Sequence, residues 1–91
     1  MLRLLRTSLK KEGAPGATLD SLGVGGTGTI RALGGERLFR RRLMELGLLP
    51  GTSVRVLRLT DLGGLLEIEV RGSTLSLRLE DARRIEVEAA R

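Results

Sequence analysis

Arginines are the side chains of this sequence best suited to bind a ligand or a partner. Four of them, Arg37, Arg40, Arg41 and Arg42, lie within six residues. A guanidinium group can bind a carboxylate or a phosphate through two parallel hydrogen bonds. The cluster could therefore hold an acidic protein surface, a lipid headgroup or nucleic acid. The alternative is a solvated helix face that binds nothing.

Reactive side chains are otherwise scarce. The 91 residues include no Cys and no His, which removes thiolate nucleophiles, disulfides, imidazole metal ligands and the commonest general acid or base. Two carboxylate pairs occur, Glu67 with Glu69 and Glu86 with Glu88, at the i, i+2 spacing of one strand face. We expect these acids to be solvated rather than to bind a metal, and we expect no cofactor and no enzymatic activity.

Residues 23–28 match the pattern G-x-G-x-x-G. A dinucleotide site needs a strand before these glycines and a helix after them, whereas here a strand is expected to follow. The last lysine of the chain is Lys11, so the lysine of a P-loop or of a kinase is also missing. The glycines therefore indicate a flexible turn at the start of a strand.

The overall composition favours an acidic partner. The net charge is +5 and the pI is about 11.2, although solubility alone would also explain this charge. Arginines outnumber lysines fourteen to two, which fits a thermophilic or G+C-rich source. No apolar run approaches the ~20 residues that a membrane-spanning helix needs. The basic start of the chain lacks the apolar core of a signal peptide, so we expect a cytoplasmic protein.

The chain divides into a tail, residues 1–17, and a domain, residues 18–91. Leu2, Leu5 and Leu9 have helical spacing, so residues 2–11 could form a basic amphipathic helix that touches a membrane surface or a partner. A frayed tail is the alternative, because so short a helix is marginal alone.

The first half of the domain predicts one strand and one helix. Residues 18–26 are interpreted as a flexible approach to a strand over residues 27–33. A helix should begin at Glu36 and end at Gly47, a residue suited to the left-handed conformation that stops a helix. Phe39, Leu43 and Leu46 lie at i, i+4 and i+7 and should face the core.

The second half predicts strands. Apolar and polar residues alternate over 53–56, 66–71, 74–79 and 85–88, and the first of these patterns slips at Leu57, which suggests a bend or bulge. Gly72-Ser73 is interpreted as a two-residue hairpin connection. The pattern predicts a mainly β domain: a small barrel of about five antiparallel strands with one short helix after the first strand.

The segment Arg-Leu-Met-Glu-Leu-Gly-Leu-Leu-Pro-Gly at residues 42–51, followed by the strands above, resembles the FeoA family of small ferrous-iron transport accessory proteins. The resemblance implies an SH3-like barrel in the cytoplasm that docks on FeoB, a membrane transporter whose cytosolic part carries a GTP-binding domain. It also brings an expectation of transition-metal binding, although no ligand residues are assigned. The same fold forms the C-terminal domain of iron- and manganese-dependent repressors, but this chain has no room for the domains that precede it there.

These observations lead to a non-enzymatic adaptor as the main hypothesis. Arg37, Arg40 and Arg41 would steer the contact with the transporter. A nucleic-acid-binding SH3-like barrel, or a stand-alone relative of the repressor domain, is the alternative. Nucleic-acid binding is disfavoured because the strands offer no aromatic side chains for base stacking. A weak homo-oligomer is compatible with the sequence. The predicted apolar anchors of the partner contact are Met44, Leu48 and Leu49.

Overall fold

The computed structural model describes residues 17–60 and 62–90. The elements are a 3₁₀ helix (Leu19–Leu22), β1 (Thr27–Leu33), α1 (Arg37–Glu45), β2 (Ser53–Thr60), β3 (Leu65–Val70), β4 (Ser73–Arg78), α2 (Leu79–Ala82) and β5 (Ile85–Ala89). The predicted tail helix at residues 2–11 lies outside the described residues. No helix in the described part of the chain is long and apolar enough to cross a membrane.

The five strands form one antiparallel sheet in the order β4-β3-β2-β1-β5. The prediction of a mainly β domain with a short helix after the first strand is confirmed. The sheet is not closed, however, because β4 and β5 are its two edges and do not pair with each other.

Two bulges interrupt the regular pairing of the sheet. In β2 the register with β3 shifts between Val56 and Arg58, so Leu57 is the extra residue, as the slip in the sequence pattern predicted. In β1 the register with β5 shifts between Ile30 and Ala32, and nothing in the sequence had indicated this second bulge.

Buried aliphatic side chains from the inner face of the sheet, from α1 and from the connecting segments form one core. Phe39 is half-buried and packs against this core. The buried members are Leu19, Ile30, Leu43, Leu48, Val54, Val56, Leu66, Ile68, Val70, Leu77, Ala82, Ile85 and Val87.

The structure corrects the interpretation of residues 18–26 as a flexible approach. Thr18 forms an isolated bridge with Glu86, and the following residues form the 3₁₀ helix. Leu19 is completely buried in the core. These residues therefore belong to the folded unit, and Thr18 with the preceding Ala17 lies along the outer edge of β5.

The hairpin between β3 and β4 also differs from the prediction. Its two loop residues are Arg71 and Gly72, not Gly72 and Ser73, because Val70 lies opposite Ser73. Both loop residues have positive φ, 54° for Arg71 and 82° for Gly72. Two successive residues of this kind define a type I′ turn, whose twist matches that of the strands.

Candidate functional site

The arginine cluster lies on α1, which is built from good helix formers. Glu36 precedes the first turn as its N-cap residue, although its side chain makes no capping hydrogen bond. Leu43 faces the core, and the basic residues are distributed over the other sides of the helix. This is the outward presentation that the sequence predicted.

The end of α1 is a Schellman motif centred on Gly47, which has φ of 100°. The Leu48 amide donates to the Leu43 carbonyl at 3.0 Å, and the Gly47 amide donates to the Met44 carbonyl at 3.0 Å. In this motif the residue after the glycine packs against the last full turn of the helix. Leu48 accordingly joins Leu43 in the core.

This helix end corrects two predictions. Leu48, predicted as an apolar anchor for a partner, is 0% exposed and is not available for direct contact. Leu46, predicted to face the core, is the C-cap residue and is 48% exposed. Helical spacing failed here because the chain leaves the helix at Leu46. A glycine followed by a leucine was the signal that would have placed Leu48 in the core.

The predicted arginines have different local partners. The Arg40 guanidinium donates from Nη1 to the Gly35 carbonyl at 2.6 Å, so this side chain lies back over the start of the helix. Arg41 forms an exposed ion pair with Glu45, with 3.6 Å between Nε and Oε2. Arg37 is exposed, and no ion pair joins it to a carboxylate within residues 17–60 and 62–90.

An open depression of about 270 Å³ lies between α1 and β1, and we call it the helix groove. Arg40 and Met44 contribute from the helix, one turn apart. The groove is lined by Arg31, Ala32, Leu33, Arg40, Met44 and Pro50.

The helix groove has a basic rim and an apolar floor. Arg31 and Arg40 supply the charge. Sequence reasoning missed Arg31, which is the extra residue of the β1 bulge and is exposed. Only the register of β1 against β5 reveals its position, because a residue on a bulge departs from the alternation of strand faces.

The other predicted residues do not all meet in this groove. Arg41 lies on another side of α1, in a shallow depression with Leu38, Arg42 and Glu45. Leu49 is 37% exposed and lines a separate depression beside Arg71. Met44 is 41% exposed. It is the one predicted apolar anchor that lines the helix groove.

In the first carboxylate pair, each glutamate lies beside an arginine of the neighbouring strand. The Glu67 carboxylate accepts a hydrogen bond from Arg58 Nε at 2.7 Å across β2 and β3. Glu69 lies opposite Arg55. No three Asp or Glu side chains come together in a possible metal site anywhere in the described residues.

The glycine motif has a structural role. Strand β1 begins within this motif, at Thr27, and includes Gly28. The Gly25 amide donates to the Val56 carbonyl, and Gly26 accepts from the Val56 amide, both at 2.8 Å. A side chain on Gly26 would collide with the Leu22 carbonyl, and one on Gly28 would lie 3.0 Å from the Glu88 carbonyl. The glycines therefore permit close backbone packing.

The fold and this surface define a small SH3-like domain with a basic, partly apolar groove and no thiol or imidazole groups. The FeoA domain family matches residues 17–89, and the chain belongs to this family.

Solved structures agree with this assignment. The FeoA protein of Chlorobium tepidum is 34% identical, with a TM-score of 0.77 over 81% of this chain and 70% of that one. The FeoA of Stenotrophomonas maltophilia is 27% identical, with a TM-score of 0.69 over 81% of this chain and 95% of that one. That protein was solved with zinc and is described as a procaryotic SH3 domain protein and a candidate ferrous iron transport activating factor.

A manganese-dependent transcriptional repressor shares the fold. It is 21% identical, with a TM-score of 0.75 over 81% of this chain and 41% of the repressor. At this identity the match shows the fold alone.

Proposed function

We propose that this chain is a non-enzymatic, cytoplasmic accessory protein of ferrous-iron transport that docks on the cytosolic part of a FeoB-like membrane transporter. Membership of the FeoA family supports the transport role. The single observation that supports docking is the helix groove, where two arginines lie beside apolar side chains. Two of those apolar residues, Met44 and Pro50, belong to the segment 42–51 that carries the family resemblance.

The groove chemistry suits an acidic segment with one apolar side chain. Arg31 and Arg40 would pair with carboxylates at the rim, where charges mainly speed association and set its register. Met44 would contact the apolar side chain, because a flexible thioether adapts to irregular partners. Arg37 and Arg41 lie outside the groove on the same helix and would add long-range attraction.

Binding to the purified cytosolic part of the transporter tests this proposal. The triple variant Arg37/Arg40/Arg41→Glu should weaken binding at least tenfold at low salt. A matched control, Arg55/Arg71/Arg78→Glu, makes the same change in net charge on the strand side and should weaken binding far less. Circular dichroism should show that both variants remain folded.

A second pair of variants isolates the apolar contact. Met44→Ala and Leu46→Ala both shorten an exposed apolar side chain at the end of α1, but only Met44 lines the helix groove. We expect Met44→Ala to weaken binding severalfold and Leu46→Ala to leave it unchanged. If the arginine triple variant binds as tightly as the wild type, the site is wrong, and if the wild type does not bind, the docking proposal is wrong.

The structure gives no support to the nucleic-acid alternative. Phe39 is the only aromatic side chain of the protein, and it packs against the core under Arg84 instead of standing on a strand face. Binding to a short RNA or DNA that weakens steeply with salt would nevertheless favour that alternative, because counterion release accompanies phosphate contacts.

A further inference from the structure

The two edges of the sheet are treated differently. Beyond β5, the Val87 amide donates to the Ala17 carbonyl at 3.0 Å and Thr18 bridges to Glu86, so that edge is covered. At the other end β4 pairs with β3, and no other strand of the described chain lies on its free side.

The type I′ hairpin determines which groups β4 presents at this edge. The residues that flank a two-residue loop form a hydrogen-bonded pair, and bonded pairs alternate along an antiparallel ladder. Val70 and Ser73 are that flanking pair. The amides of Thr74, Ser76 and Arg78 and the carbonyls of Thr74 and Ser76 therefore point away from β3, whereas Arg78 is the N-cap residue of α2 and its carbonyl starts that helix. The side chains of these three residues are exposed.

Natural sheets usually protect such an edge with a very short strand, proline, charged side chains, a bulge or a covering segment. Strand β4 has no proline, and its one charged side chain is Arg78 at its last position, so the first two outward positions are the uncharged Thr74 and Ser76. The register of β4 with β3 is continuous, and the two bulges lie in β1 and β2. The β4 edge is thus a regular template for another strand.

We propose that the β4 edge pairs antiparallel with β4 of a second copy of this chain, about a two-fold axis at Ser76. Ser76 then lies opposite its own copy, and Thr74 of each chain lies opposite Arg78 of the other. Of the registers that set outward-directed residues opposite one another, this one pairs the most of them, three from each chain.

The same register is chemically self-complementary. It sets Leu75 of each copy against Leu77 of the other on the apolar face, where Leu75 is only half-buried in the single chain. It opposes no two like charges, whereas an axis at Arg78 would set two guanidinium groups against each other. One strand of six residues buries much less than the ~1,200–2,000 Å² of a standard interface, so the dimer should be weak.

Cysteine scanning tests the register directly, because the chain has no cysteine of its own. Opposed residues of a hydrogen-bonded pair have Cα atoms about 5.5 Å apart, but their Cβ atoms lie beyond the ~3.5–4.5 Å of an unstrained disulfide, so a short bis-maleimide is the suitable crosslinker. Ser76→Cys should therefore form a covalent dimer with this reagent. Thr74→Cys and Arg78→Cys should each react at least tenfold more slowly alone but form a mixed dimer together. Glu88→Cys, exposed on β5, is the control for random collision.

Sedimentation equilibrium up to about 1 mM protein supplies the second readout. The wild type should dimerise measurably, whereas Ser76→Lys should remain monomeric, because it places two ammonium groups together at the axis. Ser53→Lys makes the same substitution at an exposed position of β2, away from the β4 edge, and this variant should dimerise like the wild type. A wild type that stays monomeric, or a Glu88→Cys or Thr74→Cys variant that crosslinks as fast as Ser76→Cys, overturns the proposal. The helix groove is not involved, so this result is independent of transporter docking.

Discussion

The guanidinium carbon of Arg84 lies 5.5 Å from the centroid of the Phe39 ring, so the residue before β5 covers the only aromatic side chain of the protein. The backbone reinforces this contact, since the Gly34 amide donates to the Arg84 carbonyl at 2.6 Å. A side chain at Gly35 would lie 2.9 Å from the ring. The start of α1 is thus held against the entry to β5.

Replacing Phe39 by Ala should lower the free energy of unfolding by about 2–3 kcal/mol, less than for a fully buried ring because Phe39 is half-buried. Arg84→Ala should cost about 0.5–1 kcal/mol, in the range of an exposed cation–π contact. Denaturant unfolding of both single variants and the double variant gives the coupling between them. Strictly additive losses would contradict a direct contact.

Leu48→Ala should lower the free energy of unfolding by about 2–5 kcal/mol, because it empties a fully buried site. Leu46→Ala, two residues earlier, should change it by less than about 0.5 kcal/mol, because Leu46 is exposed at the helix end. Thermal or urea unfolding of the two variants measures the contrast. Equal losses would show that the helix does not end in the Schellman motif.

Arg71→Asn should raise the free energy of unfolding by about 0.5–1 kcal/mol. Arg71 has φ of 54° in the hairpin turn, a conformation that costs most residues about 1–2 kcal/mol and that asparagine tolerates better. Gly72→Ala is the control with the opposite expected sign. It should destabilise the protein, because Gly72 has φ of 82° and alanine adopts positive φ less readily than glycine. Urea denaturation distinguishes them, and a destabilised Arg71→Asn variant would argue against a strained turn.

The ion pair between Arg58 and Glu67 should contribute more than the pair between Arg41 and Glu45. The first is a 2.7 Å hydrogen-bonded contact across two strands with a half-buried carboxylate, whereas the second is 3.6 Å long and exposed at both ends. Double-mutant cycles to Ala should give coupling of about 0.5–1 kcal/mol for the strand pair and less than about 0.5 kcal/mol for the helix pair. The helix pair should also lose its coupling in high salt, and the reverse ranking would contradict the structure.

Local signals in the sequence were sufficient for most of the elements. The alternation of apolar and polar residues located the strands, and its slip at Leu57 located the bulge in β2. The left-handed stop at Gly47 was also predictable, because few other residues adopt its φ of 100° easily. These features depend on neighbours in the chain, which the sequence contains.

Features that depend on distant contacts were not predictable. Leu19 lies in a glycine-rich region without periodicity, and only packing against the finished sheet buries it. The position of Arg31 in the helix groove depends on a register shift against β5, about 55 residues further along the chain. The hairpin turn fell on Arg71 and Gly72 because strand pairing outweighed the usual preference for Asn or Gly at its first position.

The burial of Leu48 directly after Gly47 connects the last turn of α1 to the sheet through the protein interior. A helix fastened in this way cannot rotate about its axis or shift along it without withdrawing a leucine from the core. Its arginine side and the groove beside it are consequently preorganised, so the acidic segment proposed as the partner would lose little affinity to ordering this side of the contact.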